Sequence, residues 1–357
     1  MDDQRRGRLK REVGVYSAVA LVVANMVGTG IFTTSGFIIA ELGQPMLLML
    51  CWLVGGVFAL CGALCYGELG ARYPRAGGEY VFLTESFGPG LGFLSGWISL
   101  IVGFSAPIAA AAIAFAAYFQ RAAGIADGFS HTVTLGGRRL GTITAEALIA
   151  VGVVSALSLI HCRSLRIGSR VQNGLTLFKV LLLLIFIGGG LLSQNGSAVH
   201  FSGTFTPTAL FGEPFAVALI FVTFAYSGWN AAAYLGAEIR DPQRAIPAAL
   251  IAGTVLVTGL YLLLNVVYLY ALPPGKMKGV LEVGSLAAEA LFGGGAGRYF
   301  AGAIAFGLLS VVSAMIMAGP RVYYAMAKDG LFFQTFARVD PKGATPAPAI
   351  VLQAGIA

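Results

Sequence analysis

Charge is what this sequence has least of. Of its 357 residues only 11% are Asp, Glu, Lys or Arg, against 57% hydrophobic. A soluble domain needs a surface with roughly 25–35% charged residues, so a water-soluble enzyme or binding module is excluded. Histidine is just as scarce. The three residues, His131, His161 and His200, all fall near loops. No His or Asp lies inside an apolar run, so neither a nucleophile–base pair nor a metal ligand set for an intramembrane enzyme is visible. Of the four cysteines, Cys51, Cys61 and Cys65 share one apolar run and Cys162 lies in a loop. Cys61 and Cys65 fall on one helix face. Without further ligands nearby they read as small buried core residues, and no metal or other cofactor is implied. A cleavable signal peptide is not expected, because the first twelve residues are polar and basic and the apolar run after them is too long. The net charge of +7 is read as orientation in a membrane and not as nucleic-acid binding.

What is abundant is apolar sequence in runs of about 20 residues, the length of a membrane-spanning helix and not of a barrel strand. Spans are expected near 13–42, 45–71, 88–119, 144–161, 171–193, 213–238, 247–272 and 297–327. A ninth run starts at Pro346 and is too short to cross by Ala357, so the natural protein is expected to continue. With the N-terminus cytoplasmic, 16 Lys and Arg fall inside and 6 outside, and Lys179 falls within a span. That bias obeys the positive-inside rule. The reading is therefore a multi-pass protein of the cell membrane, with the lipid bilayer as its surroundings. Only 121–143 and 273–296 are sizeable outside the membrane, and "GVLEVGSLAAEALF" in the second suits a short interfacial helix. Gly88, Gly92 and Gly96 recur every four residues and suit close helix packing.

The first span is interrupted at Gly28, Thr29 and Gly30, and the sixth at "FAYSGW", residues 224–229. Unwound backbone is tolerated at membrane depth only where it lines a protein-enclosed cavity. Close packing at small residues is the other explanation of the glycines. Paired interruptions at corresponding positions of two five-helix repeats point to a transporter site at the bilayer midplane. Freed N–H groups at a half-helix N-terminus suit a carboxylate, and freed carbonyls at a C-terminus suit an ammonium. A dinucleotide loop fails, because Thr33 stands where the third glycine belongs and no strand precedes it.

Here the sequence resembles a known family. "REVGVYSAVALVVANMVGTGIF", "YGELGARYPRAGGEYVFL", "SRVQNGLTLFKV", "FAYSGWNAAAYLGAEIRDPQRAIPAA" and "GPRVYYAMAKDGLFF" occur in this order. They are similar to motifs of the amino-acid permeases of the amino acid–polyamine–organocation superfamily, near the L-type and cationic amino-acid transporter branches. The resemblance implies an all-α, LeuT-type bundle of 5+5 inverted repeats with discontinuous spans one and six, truncated here in span nine. Residues 1–12 would be a cytoplasmic N-terminus, 13–193 the first repeat, and 213–357 an incomplete second repeat.

Family roles fall on named positions. N–H groups of Gly28, Thr29 and Gly30 would receive the substrate carboxylate. Carbonyls of Met26, Phe224, Ala225 and Ser227 would face its amine. Phe224 resembles the aromatic gate, with Trp229 and Asn230 just beyond the break serving either as gate or as packing. Lys179 would stand in place of a sodium ion and tether the first break to span eight, where Ser310 and Ser313 face that region. Snorkelling to the interface is the plainer explanation of Lys179, since it falls early in the expected fifth span. Glu238, Arg240, Asp241 and Arg244 after span six, and Glu68, Arg72, Arg75 and Glu79 after span two, read as an inner gate or as solvated helix ends.

The implied function is secondary transport of amino acids by alternating access, by sodium-independent exchange or coupled to protons. Small side chains on span three and no anionic residue near the breaks favour neutral substrates; cationic amino acids and polyamines stay open. A channel is disfavoured by one asymmetric chain with two broken helices. No cysteine in the outside segments points to a partner subunit.

Overall fold

The computed structural model describes residues 9–125, 129–135, 138–203 and 205–357. Arg5, Arg6 and Arg8, counted above for orientation, lie outside them. The first span is two helices, α1 (Val15–Met26) and α2 (Gly30–Leu42), which meet at 44°. The second is α3 (Pro45–Arg72), followed by the short α4 (Glu79–Phe87). The third runs through α5 (Pro89–Ile98), a π-helical stretch Ser99–Ser105, and α6 (Ala106–Ala123). Pro107 has no N–H to give to the preceding turn, which explains why the ladder loosens there.

The segment before the fourth span is not a plain loop. Ser130–Leu135 (β1) and Arg138–Thr144 (β2) pair as an antiparallel hairpin, so the all-α expectation needs this correction. The remaining helices are α7 (Ala145–Arg163), α8 (Leu165–Leu192), α9 (Glu213–Ala225), α10 (Pro242–Ala271), α11 (Pro274–Met277), α12 (Val283–Phe292), α13 (Ala296–Ala318), α14 (Pro320–Lys328) and α15 (Ala347–Ile356).

By length and composition six helices are apolar and long enough to cross a membrane, or seven when the bent pair is taken as one span. Large apolar side chains such as Phe58, Val151, Leu159 and Ile185 face outward. Water would penalise that surface, and lipid would not. Cys61 and Cys65 lie on this exterior. The expectation of a core position was wrong for both, because a span facing lipid is apolar on its outside as well.

Two further expectations change. The sixth span does not continue as a helix to 238: α9 ends at Ala225, and a 3-10 turn over Ala231–Tyr234 replaces the second half. Its backbone is used elsewhere. Val13 N–H donates to Glu238 O at 2.9 Å, and Arg240 N–H to Val13 O at 2.9 Å, in a parallel bridge to the entry of α1. The short helix expected in 273–296 forms as α12, and its Val283, Ala287, Ala288 and Leu291 are buried against α10 and α13. His161, placed near a loop by sequence, is buried in the last turn of α7. Gly92 and Gly96 do sit under neighbours, Thr84 and Met326, whereas Gly88 makes a turn at φ +90°.

Candidate functional site

The two breaks lie against each other. A Cβ on Gly30 would stand 2.8 Å from the Cβ and 2.9 Å from the Cα of Ala225, at the end of α9. A Cβ on Gly228, itself at φ +99°, would stand 2.9 Å from the backbone of Asn25. Each break therefore carries a glycine because the other break's main chain occupies the space a side chain needs. Gly28 differs: a Cβ there would meet nothing within 4 Å, and Gly28 lines a cavity. Close packing explains Gly30 and not Gly28.

That cavity, about 640 Å³, falls within the range of small-molecule sites. Met26, Gly28, Thr29, Gly30, Phe224, Ala225, Ser227, Trp229 and Asn230 all line it, and Ala106, Ala110 and Ala114 form its small-residue wall. Among the described residues, the N–H groups of Thr29, Gly30 and Ile31 have no backbone acceptor, nor have those of Gly228, Trp229 and Asn230. The first three open α2, where the helix dipole is positive. Phe224 is 77% exposed and does not seal the cavity in this arrangement. The Trp229 ring occupies the space a Cβ on Gly62 would need and meets Tyr66 edge-on at 4.9 Å, while Asn230 Nδ2 donates to the Tyr234 hydroxyl at 3.1 Å.

Three of the four carbonyls expected to face a substrate amine have other partners, Phe224 O accepting from Ser227 N–H at 3.0 Å. Met26 O accepts from Gly28 N–H at 2.9 Å and from the Tyr261 hydroxyl at 2.7 Å. The same hydroxyl lies 3.1 Å from Ala225 O. Tyr261 of α10 thus clamps both breaks from behind, a role no local sequence pattern announces. Its ring is packed by Trp52 at 5.2 Å and Tyr226 at 5.0 Å. Removing that hydroxyl in Tyr261→Phe leaves two carbonyl contacts unmade. The expected cost is about 1–2 kcal/mol, read as a roughly tenfold weaker apparent substrate affinity with a lower melting temperature.

Lys179 sits near the middle of the 28-residue α8, because that helix starts at Leu165 and not at 171. It is 3% exposed, so snorkelling is excluded. Its Nζ donates to Ala24 O at 2.9 Å and Val27 O at 2.7 Å. Both carbonyls end α1, where the dipole is negative and a cation is favoured. Gly307 of α13 lies against its stem. Ser310 and Ser313 are not brought to it. The Ser310 hydroxyl donates to Gly307 O at 2.7 Å, and Ser313 pairs with His161 Nε2 at 2.8 Å.

Glu238 does not belong to a cluster with its sequence neighbours. It is fully buried and accepts both Nε and Nη2 of Arg321, at 2.8 and 2.9 Å. Arg240, Asp241 and Arg244 are not in that pair, and Arg75 bonds Glu85 and Asp329 instead. An acidic residue does reach the cavity. Glu79, which opens α4, lines it, against the expectation of no anion near the breaks. Gly77 N–H, donating to Tyr234 O at 3.1 Å, brings α4 under the second break.

Comparison with known proteins gives a family for the chain. The family model for amino acid permeases matches residues 13–357. The chain is 29% identical over 357 residues to the b(0,+)-type amino acid transporter 1 of Mus musculus, covering 98% of this chain and 69% of that protein. The serine/threonine exchanger SteT of Bacillus subtilis (strain 168) is 29% identical over 352 residues, 98% of this chain and 76% of SteT. The large neutral amino acids transporter small subunit 2 of Homo sapiens is 29% identical over 347 residues, 96% of this chain and 62% of that protein.

Proposed function

The chain belongs to the amino acid permease family, and on that footing we propose that it is a secondary active transporter that exchanges amino acids across a membrane by alternating access. The observation that carries this reading is the pair of adjoining breaks, whose residues Thr29, Gly30, Gly228, Trp229 and Asn230 have N–H groups without a backbone acceptor and line one cavity. The N–H groups of Thr29 and Gly30 take the substrate carboxylate, and the Ser227 carbonyl takes its ammonium, with Phe224 O sharing it beside its bond from Ser227 N–H. Main-chain groups thus hold both ends of a zwitterion without an ionised side chain. Ala106, Ala110 and Ala114 leave room for neutral side chains.

Spans one to five and six to ten form two inverted repeats in this proposal, and the N-terminus is cytoplasmic in the cell membrane. Lys179 Nζ holds the end of α1 through Ala24 O and Val27 O, where a bound sodium ion would otherwise stand, which favours sodium-independent exchange. Phe224 closes over the substrate during transport. Glu238 and Arg321, with the bridge from Val13 to Ile239, close the face that carries the N-terminus.

The test is counterflow with purified full-length protein in liposomes. Vesicles loaded with unlabelled serine take up labelled amino acid faster than empty ones, and replacing sodium leaves the rate unchanged. Repeating the assay with and without a proton gradient separates exchange from proton symport. Saturable binding with no flux for any amino acid would make the protein a receptor and end the proposal.

A further inference from the structure

Main-chain groups at the breaks recognise what all α-amino acids share. Choice among them falls to whatever meets the side chain, and among the residues lining the cavity Glu79 is the one carboxylate. Glu79 lines the cavity beside Asn230 and Tyr234. Ser99, at the start of the π-helical stretch, donates its hydroxyl to Glu79 Oε1 at 3.2 Å. Tyr234 hydrogen-bonds the same carboxyl while accepting from Asn230 Nδ2 at 3.1 Å. Tyr66 of α3 is the other titratable group close enough to feel its charge. Among the described residues no Lys, Arg or His forms an ion pair with it.

A carboxylate offers about four acceptor sites, and two hydroxyls leave it under-used. A part-buried carboxylate without a countercharge is costly unless something else supplies one. Glu79 is the anion of this cavity, and an incoming cation would complete it.

We propose that Glu79 is a specificity-determining residue of the transport site, accepting a hydrogen-bond donor at the end of the substrate's side chain and favouring a terminal ammonium over an apolar end of the same reach. This rests on the reading of the cavity as an amino-acid site. Burial raises the Glu79 carboxyl above the usual carboxylate range, opposed by the hydrogen bonds from Ser99 and Tyr234. The sign for binding follows. A cationic side chain needs the ionised carboxylate, so its affinity rises as pH climbs through the raised value, whereas an apolar side chain is indifferent.

Lysine and norleucine test this directly, since they share one aliphatic stem and differ at its end. Competition against labelled substrate is measured in liposomes holding the full-length protein. In the wild type, the lysine-to-norleucine preference rises with pH as the raised Glu79 carboxyl ionises. In Glu79→Gln the preference falls by about tenfold or more and loses its pH slope, the loss expected for a charge-assisted hydrogen bond. Should that variant fail to fold, Tyr234→Phe, which frees one bond to the carboxyl, shifts the midpoint of the wild-type slope. A preference unmoved by Glu79→Gln, or a wild type with no slope, overturns the role of Glu79 and leaves the transport reading standing. A wild type that exchanges no amino acid overturns both.

Discussion

Leucine in place of Gly30 is expected to reduce amino-acid exchange below detection, and alanine in place of Gly228 to come close to it. At Gly30 even the first side-chain carbon would lie 2.9 Å from the Cα of Ala225. A main-chain atom cannot turn aside as a flexible side chain can, so the two breaks must part. Overpacking of this kind costs about 1–3 kcal/mol at an ordinary core position. Here it is applied where α2 and α9 together shape the cavity, so geometry is lost along with stability. Gly228 adds its φ of +99°, a conformation that penalises any side chain by about 1–3 kcal/mol. Gly28→Ala is the control that separates packing from binding. With nothing within 4 Å of its Cβ, it keeps the wild-type melting temperature and weakens substrate affinity by placing a methyl in the cavity. Exchange at wild-type rates in Gly30→Leu would show that the close approach of the breaks is not needed for transport.

The largest loss of stability is expected from Arg321→Ala. Glu238 is 0% exposed and Arg321 1% exposed, and both Glu238 oxygens are taken by that guanidinium. Removing one partner of a buried pair strands the other charge, at about 3–5 kcal/mol. The melting temperature of the detergent-solubilised protein falls accordingly. The double variant Arg321→Met with Glu238→Met recovers most of the loss, since two apolar side chains of similar volume bury without a desolvation penalty. Exchange is not recovered by the double variant if the pair is a gate that opens and closes. Equal stability in the single and double variants would show that Glu238 is not stranded when Arg321 is removed.

The site was legible in the sequence to different depths. The breaks could be placed to the residue, because Gly28, Thr29 and Gly30 interrupt a helix where no water compensates. Lys179 stood out for the same reason: a cation in an apolar run needs partners. Its partners were carbonyls released by the first break, and not the serines of α13, whose hydroxyls turn to Gly307 and His161. Cys61 and Cys65 were misplaced because in a membrane both the core and the exterior are apolar, so hydropathy cannot tell inside from outside.

Neither the place of Glu79 at the cavity nor the role of Tyr261 had a sequence signal. Glu79 stands in a charged stretch after span two that reads as an inner gate or as a solvated helix end. Only the backbone contacts of Ala76 and Gly77 with Leu235 and Tyr234 carry it to the cavity. Tyr261 is one aromatic among many in a span, 235 positions from the Met26 carbonyl it holds.

What the sequence determined by itself was local: which segments are apolar enough to cross lipid, where their helices must break, and which charge stands at membrane depth. Each follows from the solvent, because a bilayer offers backbone amides and ions no partner and a chain entering it must declare its exceptions. Only the tertiary structure decided the pairings, Glu238 with Arg321, Tyr261 with both breaks, Glu79 with the cavity. Such contacts depend on distance in space between residues far apart in the chain, and neither composition nor periodicity carries that distance.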